Sequence, residues 1–168
     1  MREVKKLAKI KYLLLILIAI MVFGLSSCKN LINPPSVEYV KKQFSKNHDD
    51  IILVTEYIIS SDFESVYMHH GSNTLSADGK HIDVHDESLT NAIQNMFNNG
   101  YSVIIKSGNT IYFQQWTRFT DAGCGIAYSI DGSNDLNIQY LTQATALSDD
   151  GWYYYVADYS AHRIQNNT

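Results

Sequence analysis

The stretch YSVIIKSGNTIYFQQWT, residues 101–117, decides the fold. Two runs rich in β-branched and aromatic residues, Tyr101–Lys106 and Thr110–Thr117, meet at Ser107-Gly108-Asn109. Such residues fit a pleated, half-buried surface, and a glycine-centred connection can take the positive φ of a tight turn. The segment therefore reads as an antiparallel hairpin. Just before it, Leu89, Ile93, Met96 and Phe97 recur at helical spacing. Asp86 or Ser88 can cap the start of that helix, and Gly100 stops it.

Downstream of the hairpin, strands are expected at Cys124–Ile130, Tyr140–Leu147 and Gly151–Val156, with Asp131-Gly132 and Asp149-Asp150-Gly151 as turns. Upstream, Glu64–His70 and Lys80–His85 read as two strands, and if they pair as a hairpin, one or both of His69 and His70 come close to His81. The second alternates, with Ile82 and Val84 on one face and His81, Asp83 and His85 on the other. Earlier still, Val37, Val40 and Phe44, then Ile51, Ile52, Thr55, Ile58 and Ile59, predict one broken helix or two, with Ser36 as N-cap and a break near Asn47-His48. The β-branched richness of Ile51–Ile59 leaves a strand as the alternative there. Helices first and hairpins after them predict an α+β domain. Its antiparallel sheet would have about five to six strands, with the N-terminal helix or helices and one further helix on one face.

The first 35 residues have a different character. Met1–Tyr12 carries Arg2, Lys5, Lys6, Lys9 and Lys11 against Glu3, and an apolar run follows from Leu13 to Phe23. A basic flank, a short apolar run and a small-residue exit are the layout of an export signal. As a helix, Leu13–Leu25 would be about 20 Å long, short of the ~30 Å hydrocarbon core that a permanent span must cross. The exit, Leu25-Ser26-Ser27-Cys28, resembles the lipobox of bacterial lipoproteins at all four positions. That resemblance implies cleavage before Cys28 and a diacylglyceryl group on its sulfur. It gives a removed leader at 1–27, a tether at 28–35 ending in Pro34-Pro35, a single domain at 36–160 and a tail at 161–168. It also implies an extracytoplasmic protein held to the membrane by lipid. Lys29 stands where inner-membrane lipoproteins of many Gram-negative cells carry Asp, so such a cell would place it at the outer membrane. A second resemblance lies in Gly125–Ser129 and Leu147–Tyr154, a pattern similar to one in small bacterial lipoproteins of no established activity. It lends no catalytic residue.

Five of the 13 basic residues and one of the 17 acidic ones precede Cys28, which leaves the following 141 residues with 8 basic, 16 acidic and a net charge of −8. So acidic a domain is repelled by phosphate backbones and anionic headgroups, which argues against nucleic acid as a partner and leaves the anchoring to lipid. Once Cys28 is used, Cys124 has no cysteine to pair with, and the domain must be stable by packing alone.

Three groups of residues invite a functional reading. His69, His70, His81 and His85, with Asp83 among them, are ligand types that suit zinc or copper if the hairpin brings them together. The run Trp152-Tyr153-Tyr154-Tyr155 alternates, so one pair faces the core. The other, with Tyr112 or Trp116, would form a stacking platform for a glycan or protein, and Trp116, Trp152 and Tyr154 are the residues assigned to it. Cys124 lies between Gly123 and Gly125, where the backbone could be exposed. It has no histidine near in sequence, since His162 sits in the tail, and reads as a small buried residue rather than a nucleophile. No phosphate loop, nucleophile elbow or zinc-protease motif is present. The leading expectation is a non-catalytic, lipid-anchored module binding an envelope protein or cell-wall glycan. A metal-binding protein using the histidines is the alternative.

Overall fold

A computed structural model describes residues 33–72, 74–118 and 122–160. The leader, Cys28, most of the tether and the tail with His162 lie outside these residues. The compact unit begins at Pro34.

Helices α1 (Val37–Lys46) and α2 (His48–Ser60) come first, and α3 (Glu87–Asn98) lies between strands. The strands are β1 (Ser65–His69), β2 (Thr74–Ala77), β3 (Lys80–Asp83), β4 (Val103–Ser107), β5 (Thr110–Arg118), β6 (Ala122–Ser129), β7 (Leu141–Ala146) and β8 (Trp152–Asp158). They form one antiparallel sheet in the order β3-β2-β1-β4-β5-β6-β8-β7. The domain is thus α+β, with a sheet of eight strands rather than five or six.

The caps follow from residue chemistry. Ser36 Oγ accepts from Tyr39 N at 3.3 Å to open α1, and Asp86 accepts from Leu89 N at 2.9 Å to open α3. Asn47 breaks the first helical stretch in two: its N–H and its side-chain amide both donate back to Gln43 O. Ile51–Ile59 lies within α2, so the β-branched run is overridden by packing on the sheet. At the end of α3, Gly100 (φ 96°) takes the left-handed position; Tyr101 N donates to Met96 O and Gly100 N to Phe97 O, each at 3.1 Å.

One of the additional strands has a local cause. Asp78 (φ 49°) and Gly79 (φ 75°) form a two-residue turn of the kind whose twist suits a hairpin, and this turn joins β2 to β3. Strand β2 therefore lies between β1 and β3, where a direct β1–β3 hairpin was expected.

Register sorts the side chains. Toward the helices point Val66, Met68, Ile104, Phe113, Ile126 and Tyr154, which form one core with Val40, Phe44, Ile51, Ile58, Ile93 and Met96. Phe44 of α1 packs on Trp152 at 4.9 Å between ring centroids. Tyr154 donates from its hydroxyl to Pro35 O at 3.0 Å and fixes the entrance of the chain on the helix side. The opposite face has a smaller core of Ala127, Tyr153, Tyr155 and Ala157, covered by Leu136 and Ile138 from the β6–β7 connection.

Gly125 shows how tightly the middle strands fit. A β-carbon built there would lie 1.9 Å from Phe113 O, beside the β5 bulge between Gln114 and Trp116. Gly123 and Gly125 are buried, so they serve close backbone approach and not exposure. Gly125→Ala should lower stability by about 3 kcal/mol, the upper range of overpacking costs, whereas exposed Tyr39→Ala should stay within about 0.5 kcal/mol. Thermal or urea unfolding of the two variants measures this, and equal stabilities would refute it.

Candidate functional site

The sheet face away from the helices is half covered. Across it, Tyr153, Ala127, Tyr112, Ile105 and Tyr67 follow one another in register over β8, β6, β5, β4 and β1. The β6–β7 connection lies over the β8 end of this row and leaves the β1 end open.

Hydrogen bonds hold that cover in place. The Asp131 carboxylate accepts from Ser133 N at 2.9 Å, Asn109 Nδ2 at 2.9 Å and Ser129 Oγ at 3.0 Å. Asn137 N donates to Thr110 Oγ1 at 2.8 Å, and the Tyr153 hydroxyl donates to Asn134 Oδ1 at 2.6 Å. The connection is thereby tied to the β4–β5 turn and to β8. These donors, the Ser133 N–H foremost, hold the Asp131 carboxyl far below the usual carboxylate range.

Where the cover stops, a step forms an open groove of about 550 Å³. Its floor is Tyr67, Ile105 and Tyr112; Asn137 and Gln139 of the connection make one wall, and Ser76 and Gly79 of the β2–β3 hairpin the other. Tyr67 is 48% exposed although aromatic, while Tyr112 is half-buried with its ring edge-to-face on Tyr155 at 5.6 Å. Burial, and secondarily Tyr159, pushes the Tyr112 phenol up to about 12. No carboxylate or imidazole is among the lining residues, and the His69 imidazole has its ring 6.1 Å from that of Tyr67. Lys106 lines the groove, but its ammonium donates to Phe63 O.

The residues singled out from sequence lie elsewhere. Trp152 and Tyr154 are each 3% exposed beneath α1, and Trp116 is partly buried against the same core. The other pair, Tyr153 and Tyr155, is buried under the β6–β7 connection. The aromatic run therefore forms no exposed platform, because the sheet is covered on both sides at β8. His69, His70, His81, Asp83 and His85 are all exposed. With β2 interposed, the neighbour of His81 is Ser76 and that of His69 is Val103. Strands β1 and β3 are then about 9.6 Å apart, too far for residues of one row to share an ion held at roughly 2 Å. Among the described residues no three His, Cys, Asp or Glu side chains gather as a metal site. His70 instead sets its ring edge on Phe97 at 5.6 Å. The acidic pairs are structural in placement: Asp49 and Asp50 lie in the first turn of α2, and Asp149 takes His48 Nε2 at 3.3 Å across to the β7–β8 turn.

Tyr67 is the residue that sequence reasoning passed over. Its signal was slight: in Ser65–His69, Val66 and Met68 alternate with outward positions, which puts Tyr67 on the outward row. No protein-family model, no curated protein and no solved structure matches the chain, so the groove has to be read from its own side chains.

Two measurements test the chemistry. Cys124 is fully buried and its thiol is pushed up to about 12 by burial. It should resist alkylation at pH 8 in the folded protein and react at once in urea; rapid labelling of the native state would contradict the buried placement. Asp131 has a depressed pKa when folded, so its contribution to stability is present above the ordinary carboxylate pKa of about 4 and is lost as pH falls through the folded value. Asp131→Asn should destabilise the protein at pH 7 and flatten its loss of stability from pH 5 to pH 2. An unchanged acid profile would count against the network.

Proposed function

We propose that the protein is a lipid-anchored component of the bacterial envelope, on the outer side of the cytoplasmic membrane, that binds a partner without catalysis. The lipobox-like Leu25-Ser26-Ser27-Cys28 behind the basic flank and apolar run carries the reading. Two or more acyl chains on one residue suffice for stable anchoring, each buried methylene adding about 0.8 kcal/mol. Among the described residues no helix is long and apolar enough to cross a membrane. The charge of −8 after Cys28 leaves no electrostatic help from anionic headgroups. The partner is an envelope protein or a cell-wall glycan. Support for binding over turnover comes from the open half of the sheet face, which offers an aromatic floor and hydroxyl and amide walls with no carboxylate or imidazole among its lining side chains. In a cell with two membranes, Lys29 favours the outer one.

The test is metabolic labelling with a palmitate analogue in the expressing bacterium. The wild-type chain should be labelled and shortened by its leader, and Cys28→Ser should be unlabelled and accumulate uncleaved. A disulfide between Cys28 and Cys124 in the exported protein would overturn the reading, since one sulfur cannot carry both bonds.

A further inference from the structure

We infer that the groove over β1, β4 and β5 is a binding site for a neutral oligosaccharide, with Tyr67 as the surface on which a sugar ring lies. This deepens the proposed binding function and rests on it. A pyranose has an apolar face of C–H bonds and a rim of hydroxyls. Tyr67 offers a ring that is half in solvent, next to Ile105 and Tyr112 in the same cross-strand row. Around it stand Ser76, Ser107, Asn137 and Gln139, hydroxyls and amides that can both donate and accept. That pairing of a π-face with reversible hydrogen-bonding groups matches a sugar on both counts. The volume of about 550 Å³ lies within the usual range of small-ligand sites.

Two other ligand classes fit less well. An anionic glycan or phosphate would meet a strongly acidic domain, and the cation lining the groove, Lys106, is already bonded to Phe63 O. A peptide recognised by strand addition needs an unpaired sheet edge. Strands β1, β4 and β5 are paired on both sides, and the sheet edges are β3 and β7. A cationic peptide would find no carboxylate in the lining.

The experiment is saturation-transfer NMR on the full chain purified in detergent, with two neutral probes, a tetramer of β-1,4-linked N-acetylglucosamine and maltotetraose, and one anionic probe, tetragalacturonate. Transfer to the ring C–H protons of at least one neutral probe is expected, and none to the anionic one. Tyr67→Ala should weaken binding at least tenfold, whereas Tyr67→Phe, which keeps the ring, and Tyr39→Ala, which removes an exposed tyrosine of α1, should leave it within twofold. Asn137→Ala should weaken it severalfold. Melting temperatures of all four variants check that the fold is kept, and Asn137→Ala reads the site if Tyr67→Ala unfolds. Binding by neither neutral probe, equal or better binding of the anionic one, or binding that survives Tyr67→Ala in a folded protein would each overturn the inference. Palmitate labelling is read separately, so a failed groove and a failed anchor give different results.

Discussion

Strand β8 must be buried on both faces, and the rest of the domain answers to that constraint. Its alternating residues are all large and aromatic at the start: Trp152 and Tyr154 toward the helices, Tyr153 and Tyr155 away from them. A single helical layer shields one face only. The second face needs its own cover, and the β6–β7 connection supplies it with Leu136 and Ile138. Connections usually run over the surface because buried backbone lacks partners. This one solves the difficulty by anchoring itself through Asp131, Asn109 and Thr110. The cover is short and protects β5, β6 and β8 but not β1, which creates the step that becomes the groove.

The close fit at β5 and β6 follows from the same demand. Aromatic rings on both faces of β8 leave little freedom to separate the neighbouring strands, and at Gly125 the backbone of β5 comes nearer than a β-carbon would allow. Gly125 faces the side of the sheet occupied by Tyr155, its partner on β8. A β-carbon there would meet the backbone of Phe113 and Gln114 on β5. The motif Gly125–Ser129 is thus explained by packing geometry, without any appeal to chemistry at Cys124.

Much of this was readable from residue patterns. The helix ending at Gly100 and the hairpin centred on Gly108 were legible because their stop and turn residues have one physical use. Strand β2 was not, because Thr74–Ala77 is short and polar on one face, although Asp78-Gly79 is a strong turn signal that should have predicted it. That single omission misplaced the histidines: a β1–β3 hairpin would have brought them together, and one intervening strand separates them. The aromatic run was legible as a strand but not as a doubly covered one. Periodicity tells which residues share a face, not whether a loop distant in sequence will fold back over it. The floor of the groove was illegible for the same reason, since Tyr67 and Tyr112 meet only through the register of β1 with β4 and of β4 with β5.

The placement of the chain entrance bears on binding. Pro35 is held by Tyr154 on the helix side of the sheet, and the groove opens on the other side. A lipid on Cys28 would leave six residues, Lys29–Pro34, before that point, so that Cys28 and Pro35 could be at most about 25 Å apart even when the chain is extended. A ligand in the groove would not meet Pro35 or the hydroxyl of Tyr154, which lie on the other side of the sheet.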